Sequence, residues 1–149
     1  MTARKARVPR RLRERVAETA QHRCGYCCTP ERIAGYRLTI EHIIPESAGG
    51  RTEEENLWLA CYACNEFKSA RTHARDAATG KVVALWNPRR QAWHDHFRWS
   101  ADGTEIIGKT PRGRATVVTL RLNRPEIVAA RSLWVQAGWW PPPASDVSE

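Results

Sequence analysis

Two cysteine pairs, Cys24-Gly-Tyr-Cys27 and Cys61-Tyr-Ala-Cys64, constrain this 149-residue chain more than any other feature. Zinc takes four thiolates in a tetrahedron at about 2.3 Å, and two C-x2-C turns supply them. A structural Zn2+ held by Cys24, Cys27, Cys61 and Cys64 closes the long loop between the pairs and makes one small module of it. A module of about fifty residues buries little core, so a metal staple is physically reasonable. The fifth cysteine, Cys28, reads as a small packing residue or a free thiol. An odd count in knuckle spacing argues for metal binding in a reducing compartment over a disulfide framework, and a cytoplasmic location is expected. The spacing by itself specifies zinc and no activity, since ribbons and fingers share it.

The net charge is +8. Much of it lies in the first fifteen residues, where Arg4, Lys5, Arg7, Arg10, Arg11, Arg13 and Arg15 face Glu14 alone. Such clustering favours a polyanion. Arg4, Lys5, Arg7, Arg10 and Arg11 are candidate nucleic-acid contacts. Val8, Leu12, Val16 and Ala20 fall on one helical stripe, which suits a docked helix better than a transit peptide. No apolar run approaches the roughly 20 residues that span a bilayer, and no membrane association is expected.

The expected organisation is a basic arm and helix over 1–22, a metal-bound core over 23–75, an α/β extension over 76–138 and a proline-rich disordered tail over 139–149. Leu38 to His42 reads as a short strand stopped by Pro45, Ser47 to Gly50 as a loop, and Asn56 to Leu59 as the return to the core. A helix is expected from Asn65 to about Ala74, and a strand from Val82 to Trp86. Phe97-Arg98-Trp99 and Thr104 to Ile107 flank Ser100-Ala101-Asp102-Gly103, a hairpin signal. Thr110-Pro111 marks a helix start, with Ala115, Val118 and Leu122 on one face; a last helix runs from Asn123 to Ala137. The seven tryptophans could stack on bases, but most sit on core-facing positions of these elements.

Between the cysteine pairs lies Glu41-His42, and Asn65 follows the second pair directly. Phosphodiester hydrolysis needs a base to activate water and a cation to neutralise the phosphate and leaving oxygen. His42 suits the base, because an unperturbed imidazole titrates at about 6.5. Glu41 and Asn65 offer hard oxygens to Mg2+ or Mn2+. Lys68, three residues after Asn65, shares its helical face and is a candidate phosphate contact or transition-state cation; Arg71 extends that face. His22, His73, His94 and His96 read as structural or surface residues.

The run from Glu41 to Gly50 (Glu41-His42-Ile43-Ile44-Pro45-Glu46-Ser47-Ala48-Gly49-Gly50), then Asn56-Leu57, then Cys61 to Lys68, resembles an HNH endonuclease, and more narrowly the subgroup stabilised by four cysteines. The resemblance implies an α+β fold: a ββα-metal core with its zinc site, here with an N-terminal basic helix and a C-terminal hairpin-plus-helices extension. It implies His42 as general base, Asn56 as the residue that steadies the loop between the strands, and Glu41 and Asn65 as ligands of a catalytic Mg2+ or Mn2+. Glu41 stands where aspartate is frequent and Asn65 where histidine is. It further implies cleavage of DNA to a 5′-phosphate and a 3′-hydroxyl, with RNA left open as a substrate and either a monomer or a homodimer. The alternatives are a non-catalytic zinc-stabilised nucleic-acid-binding module and a zinc-ribbon module for protein contacts.

Overall fold

The computed structural model describes residues 7–144. Helix α1 (Arg10–Thr19) follows Pro9 and turns Val16 and then Ala20 into the core, as its apolar stripe requires. The first knuckle and a one-turn helix α2 (Glu31–Ala34) lead into strand β1 (Thr39–His42). Two 3-10 turns, Glu46–Ala48 and Glu54–Asn56, shape the loop to strand β2 (Leu57–Ala60). The strands pair antiparallel, with Glu41 opposite Trp58 and His42 opposite Leu57. Helix α3 (Tyr62–Lys68) follows at once and packs on β1. These two strands and one helix are the ββα core that the resemblance implies.

The extension begins with a hairpin, β3 (His73–Arg75) against β4 (Val82–Ala84). Next come the one-turn helix α4 (Trp93–His96), a second hairpin of β5 (Phe97–Trp99) and β6 (Ile106–Gly108), and helices α5 (Pro111–Thr119) and α6 (Pro125–Gln136). Thr110 caps α5 by accepting the Gly113 amide at 3.0 Å. Among the described residues, no helix is long and apolar enough to cross a membrane.

Several expectations need correction. The helix after the second knuckle starts and ends earlier than read. Cys61 caps it, its sulfur accepting the Cys64 amide, and Ser69 leaves it with a positive φ of 51°. Residues 73–75 are a strand, so the expected boundary at 75 falls inside a hairpin. Val118 is exposed, and Leu122 lies beyond the end of α5 rather than on its face. The tail does not begin at 139: Trp140 is buried, and its indole donates to the Gly103 carbonyl at 3.1 Å. Trp139, by contrast, is exposed. Arg4 and Lys5 lie outside the described residues, as does the expected tail beyond 144.

One hydrophobic cluster runs from α1 through the ββα core into the extension. Trp86 and Trp93, both fully buried, pack on Phe97, and Trp93 stacks on Trp99 at 5.1 Å. The Trp93 indole also donates to the Tyr26 carbonyl at 3.1 Å, which fastens the extension to the first knuckle. Aromatic pairs of this kind add about 0.5–1.5 kcal/mol each beyond their burial. Most tryptophans are thus structural, and none of Trp86, Trp93 and Trp99 is free to stack on a base.

Asp76 and Arg114 join the β3–β4 hairpin to α5 through two parallel bonds of 3.0 Å. The Arg114 guanidinium, aided by the Thr79 hydroxyl, holds the Asp76 carboxyl down at about 2. Because the folded value lies below that of an unfolded aspartate (about 3.9), the contribution to stability is complete above that pH. It is lost as pH falls through about 2. Melting curves between pH 5 and 2 should therefore fall more steeply for wild type than for Arg114→Met. Parallel curves would show that the pair contributes nothing.

Candidate metal-dependent site

The four cysteines Cys24, Cys27, Cys61 and Cys64 are buried, and their sulfurs all lie within 4.8 Å of one another. Cys27 and Cys61 are 3.7 Å apart, close to the roughly 3.8 Å edge of a tetrahedron with 2.3 Å bonds. Four thiols packed this way cannot all ionise unaided. Burial and hydrogen bonds from its neighbours push Cys24 up; hydrogen bonds from Cys24, Cys61 and Cys64 pull Cys27 down. A divalent cation lets all four be thiolates, and the cluster fits structural zinc. Gly25 is required in the first knuckle, because a Cβ there would lie 2.3 Å from the Trp58 ring. Cys28 is buried beside the cluster and outside it, as expected of a packing residue.

The alternation of β1 sends its last two side chains to different partners. Glu41 is 1 % exposed; it accepts a hydrogen bond from the Tyr26 hydroxyl and lies 3.4 Å from the Lys68 ammonium. Burial, then the Glu41 carboxylate, push the Tyr26 hydroxyl up, so it remains a donor. Lys68 also donates to the Ile43 carbonyl at 2.9 Å, bolting the end of α3 to the strand. This corrects the expectation for Lys68: it is 2 % exposed and serves Glu41 rather than facing an approaching phosphate. Asn65 stands one turn earlier on α3, half-buried. Arg71 does not extend the helix face, because α3 has ended; its guanidinium bonds the Phe67 carbonyl at 2.8 Å.

His42 goes the other way. Its Nε2 is 2.8 Å from the Thr52 hydroxyl and 3.3 Å from Glu46. The Thr52 hydroxyl also donates to Glu46 at 3.3 Å, and Nδ1 of His42 is buried. Asn56 locks the loop above this pair: its carbonyl accepts the Ile44 amide at 2.8 Å, and its amide donates to the Ile44 and Arg51 carbonyls at 2.9 Å each. Gly50 lets the loop close, since a Cβ there would sit 1.8 Å from the Ile44 carbonyl oxygen. Arg7, Arg10 and Arg11 are exposed near the start of α1, and Arg10 pairs with Glu14.

The donor set of Glu41 and Asn65, a carboxylate and a carboxamide, fits a hard divalent cation. The ammonium of Lys68 already neutralises that carboxylate, so a second cation there shares Glu41 with it or displaces it. Removing one partner of a buried ion pair costs about 3–5 kcal/mol. Lys68→Met should therefore lower stability by about that amount, and Mn2+ should restore part of it if the ion binds Glu41. Thermal shift with and without Mn2+ reads both effects. A variant whose melting ignores Mn2+ would separate Glu41 from the ion.

Tyr26, Glu46 and Thr52 were not singled out by the sequence reading. Glu46, four residues after His42, carried a faint signal; Tyr26 lies inside the first knuckle and carried none. Compared with known proteins, residues 24–71 match the family model described as HNH endonuclease. The clustered cysteines inside that stretch fit its zinc-stabilised subgroup. No curated protein and no solved structure matches the chain.

Proposed function

We propose, from the HNH endonuclease match over residues 24–71, that this chain is a metal-dependent endonuclease that hydrolyses DNA phosphodiester bonds. The observation that supports the reading best is the pairing of His42, held by Thr52 and Glu46, with the buried carboxylate of Glu41 on consecutive positions at the end of β1. The His42 imidazole takes a proton from the attacking water. The water oxygen bonds to phosphorus, the bond to the 3′ oxygen breaks, and the departing oxygen takes a proton from solvent water, so the products carry a 5′-phosphate and a 3′-hydroxyl. Thr52 and Glu46 hold the imidazole in register and stabilise the charge it gains. Asn56 keeps the loop that carries those two groups closed over the strand ends.

Glu41 and Asn65 would hold Mg2+ or Mn2+. Such an ion supplies Lewis acidity to the phosphate and to the departing oxygen. Lys68 pairs with Glu41 and fixes α3, with Asn65, against β1. Zn2+ at the four cysteines is structural. The exposed arginines at the start of α1 add sequence-independent affinity that falls with salt.

The capture of Glu41 by Lys68 and Tyr26 favours one other reading, a zinc-stabilised nucleic-acid-binding module without catalysis. Incubation of supercoiled plasmid with the zinc-loaded protein and Mg2+ or Mn2+ decides between them. Nicked or linear product supports the nuclease; intact plasmid, with clear DNA binding, supports the module.

A further inference from the structure

Two guanidinium groups lie over the ring of Phe67, and a third, from a distant part of the chain, bonds its backbone. Arg71, in the turn after α3, donates to the Phe67 carbonyl at 2.8 Å. The Arg121 guanidinium carbon lies 4.9 Å from the ring centroid and that of Arg124 lies 6.0 Å away. Arg121 and Arg124 belong to the link between α5 and α6, and Arg124 donates to the Arg121 carbonyl at 3.4 Å. Arg71 and Arg121 are exposed and line, with Phe67 and Val118, a depression of about 410 Å³.

Among the described residues, none of the three forms an ion pair with a carboxylate. Like charges held this close repel; Glu66 also lines the depression but forms no ion pair with any of the three. The backbone adds its own strain, since Arg121 is held in the left-handed region (φ 49°). A ligand that brings negative charge relieves the repulsion, and guanidinium forks match phosphate oxygens in pairs. The Phe67 face spaces and orients the forks. Phe67 belongs to α3, the helix that also carries Asn65, although on a different face from it, so a polyanion seated on the arginines contacts the helix of the candidate site.

We propose that Arg71, Arg121 and Arg124 form a clamp for the phosphate backbone of a nucleic acid, placing the strand beside α3. The extension after residue 75 thereby becomes part of the substrate-binding surface. The proposal deepens the nuclease reading and rests on it for the identity of the polyanion.

The test is anisotropy of a labelled DNA duplex titrated with full-length, zinc-loaded protein at several salt concentrations, without added divalent ion. Each phosphate contact contributes about 0.9 to the slope of log K against log salt. Arg121→Gln/Arg124→Gln should make the slope shallower by about 1.8, whereas Lys81→Gln/Arg98→Gln, exposed cations elsewhere, should leave it alone. An unchanged slope in the first variant, or an equal change in the control, overturns the clamp. Should the double variant melt early, Arg71→Gln carries the same test with a change of about 0.9. Plasmid cleavage is read separately. Cutting by wild type with no slope change in the variant sinks the clamp alone; a slope change without any cutting upholds the clamp and sinks the nuclease.

Discussion

Cys61→Ala is expected to abolish the cooperative unfolding transition of this chain. Cys61 ends the run from β2, joins the sulfur cluster and caps α3 through the Cys64 amide. Binding of structural zinc to small thiolate modules is worth about 10–16 kcal/mol, and that energy is folding energy. A domain of this size has about 5–15 kcal/mol of stability in all. Loss of one ligand and one cap together therefore exceeds what the aromatic core can offset. Near-ultraviolet dichroism suits the measurement, because Trp86 and Trp93 are fully buried and asymmetrically packed only in the folded chain. Zinc content should fall below one ion per chain in parallel. Cys28→Ala, outside the cluster, should keep both the zinc and the transition. A Cys61→Ala protein that melts as wild type does would remove the metal from the account.

His42→Ala should lower plasmid cleavage by about 10²–10⁴-fold, the usual contribution of a positioned general base. Its fold should survive. The imidazole bonds to Thr52 and Glu46 at the rim of the loop, and the hydrogen bonds from Asn56 that hold that loop do not involve it. DNA affinity should also survive, because the candidate phosphate contacts lie on α1 and around Phe67. The combination of lost cutting with retained melting and binding is what separates a base from a structural histidine. If His42→Ala cuts at the wild-type rate, proton transfer belongs to another group.

The ββα core was legible because its signals are local or stoichiometric. Two matched cysteine pairs, a β-rich run ending at His42 and a glycine-bearing loop each determine their own piece. The second hairpin and the start of α5 were legible for the same reason, a turn sequence in one case and Thr110-Pro111 in the other. What escaped was set by partners distant in sequence. The segment 73–75 has few breakers and reads as helix, yet it pairs with residues 82–84 across a turn at Gly80. Lys68 sits on a helix face that looks solvated until β1 arrives beside it with Glu41 and the Ile43 carbonyl. Val118 fits an apolar stripe that α5 does not bury, because Gly113, Ala115 and Thr116 provide its packed side. Tyr26 gave no signal at all, since its role depends on the hydroxyl reaching a carboxylate fifteen positions on. The loop-locking role of Asn56 came from family likeness alone, and its three hydrogen bonds give that role a physical form.

Crystals of the zinc-loaded protein grown or soaked with Mn2+ and measured for anomalous scattering would test most directly whether the end of β1 and the middle of α3 share a catalytic ion. The account predicts two separate peaks, zinc among the four cysteines and manganese between Glu41 and Asn65. Zinc alone, with Lys68 still holding Glu41 at saturating Mn2+, would contradict it.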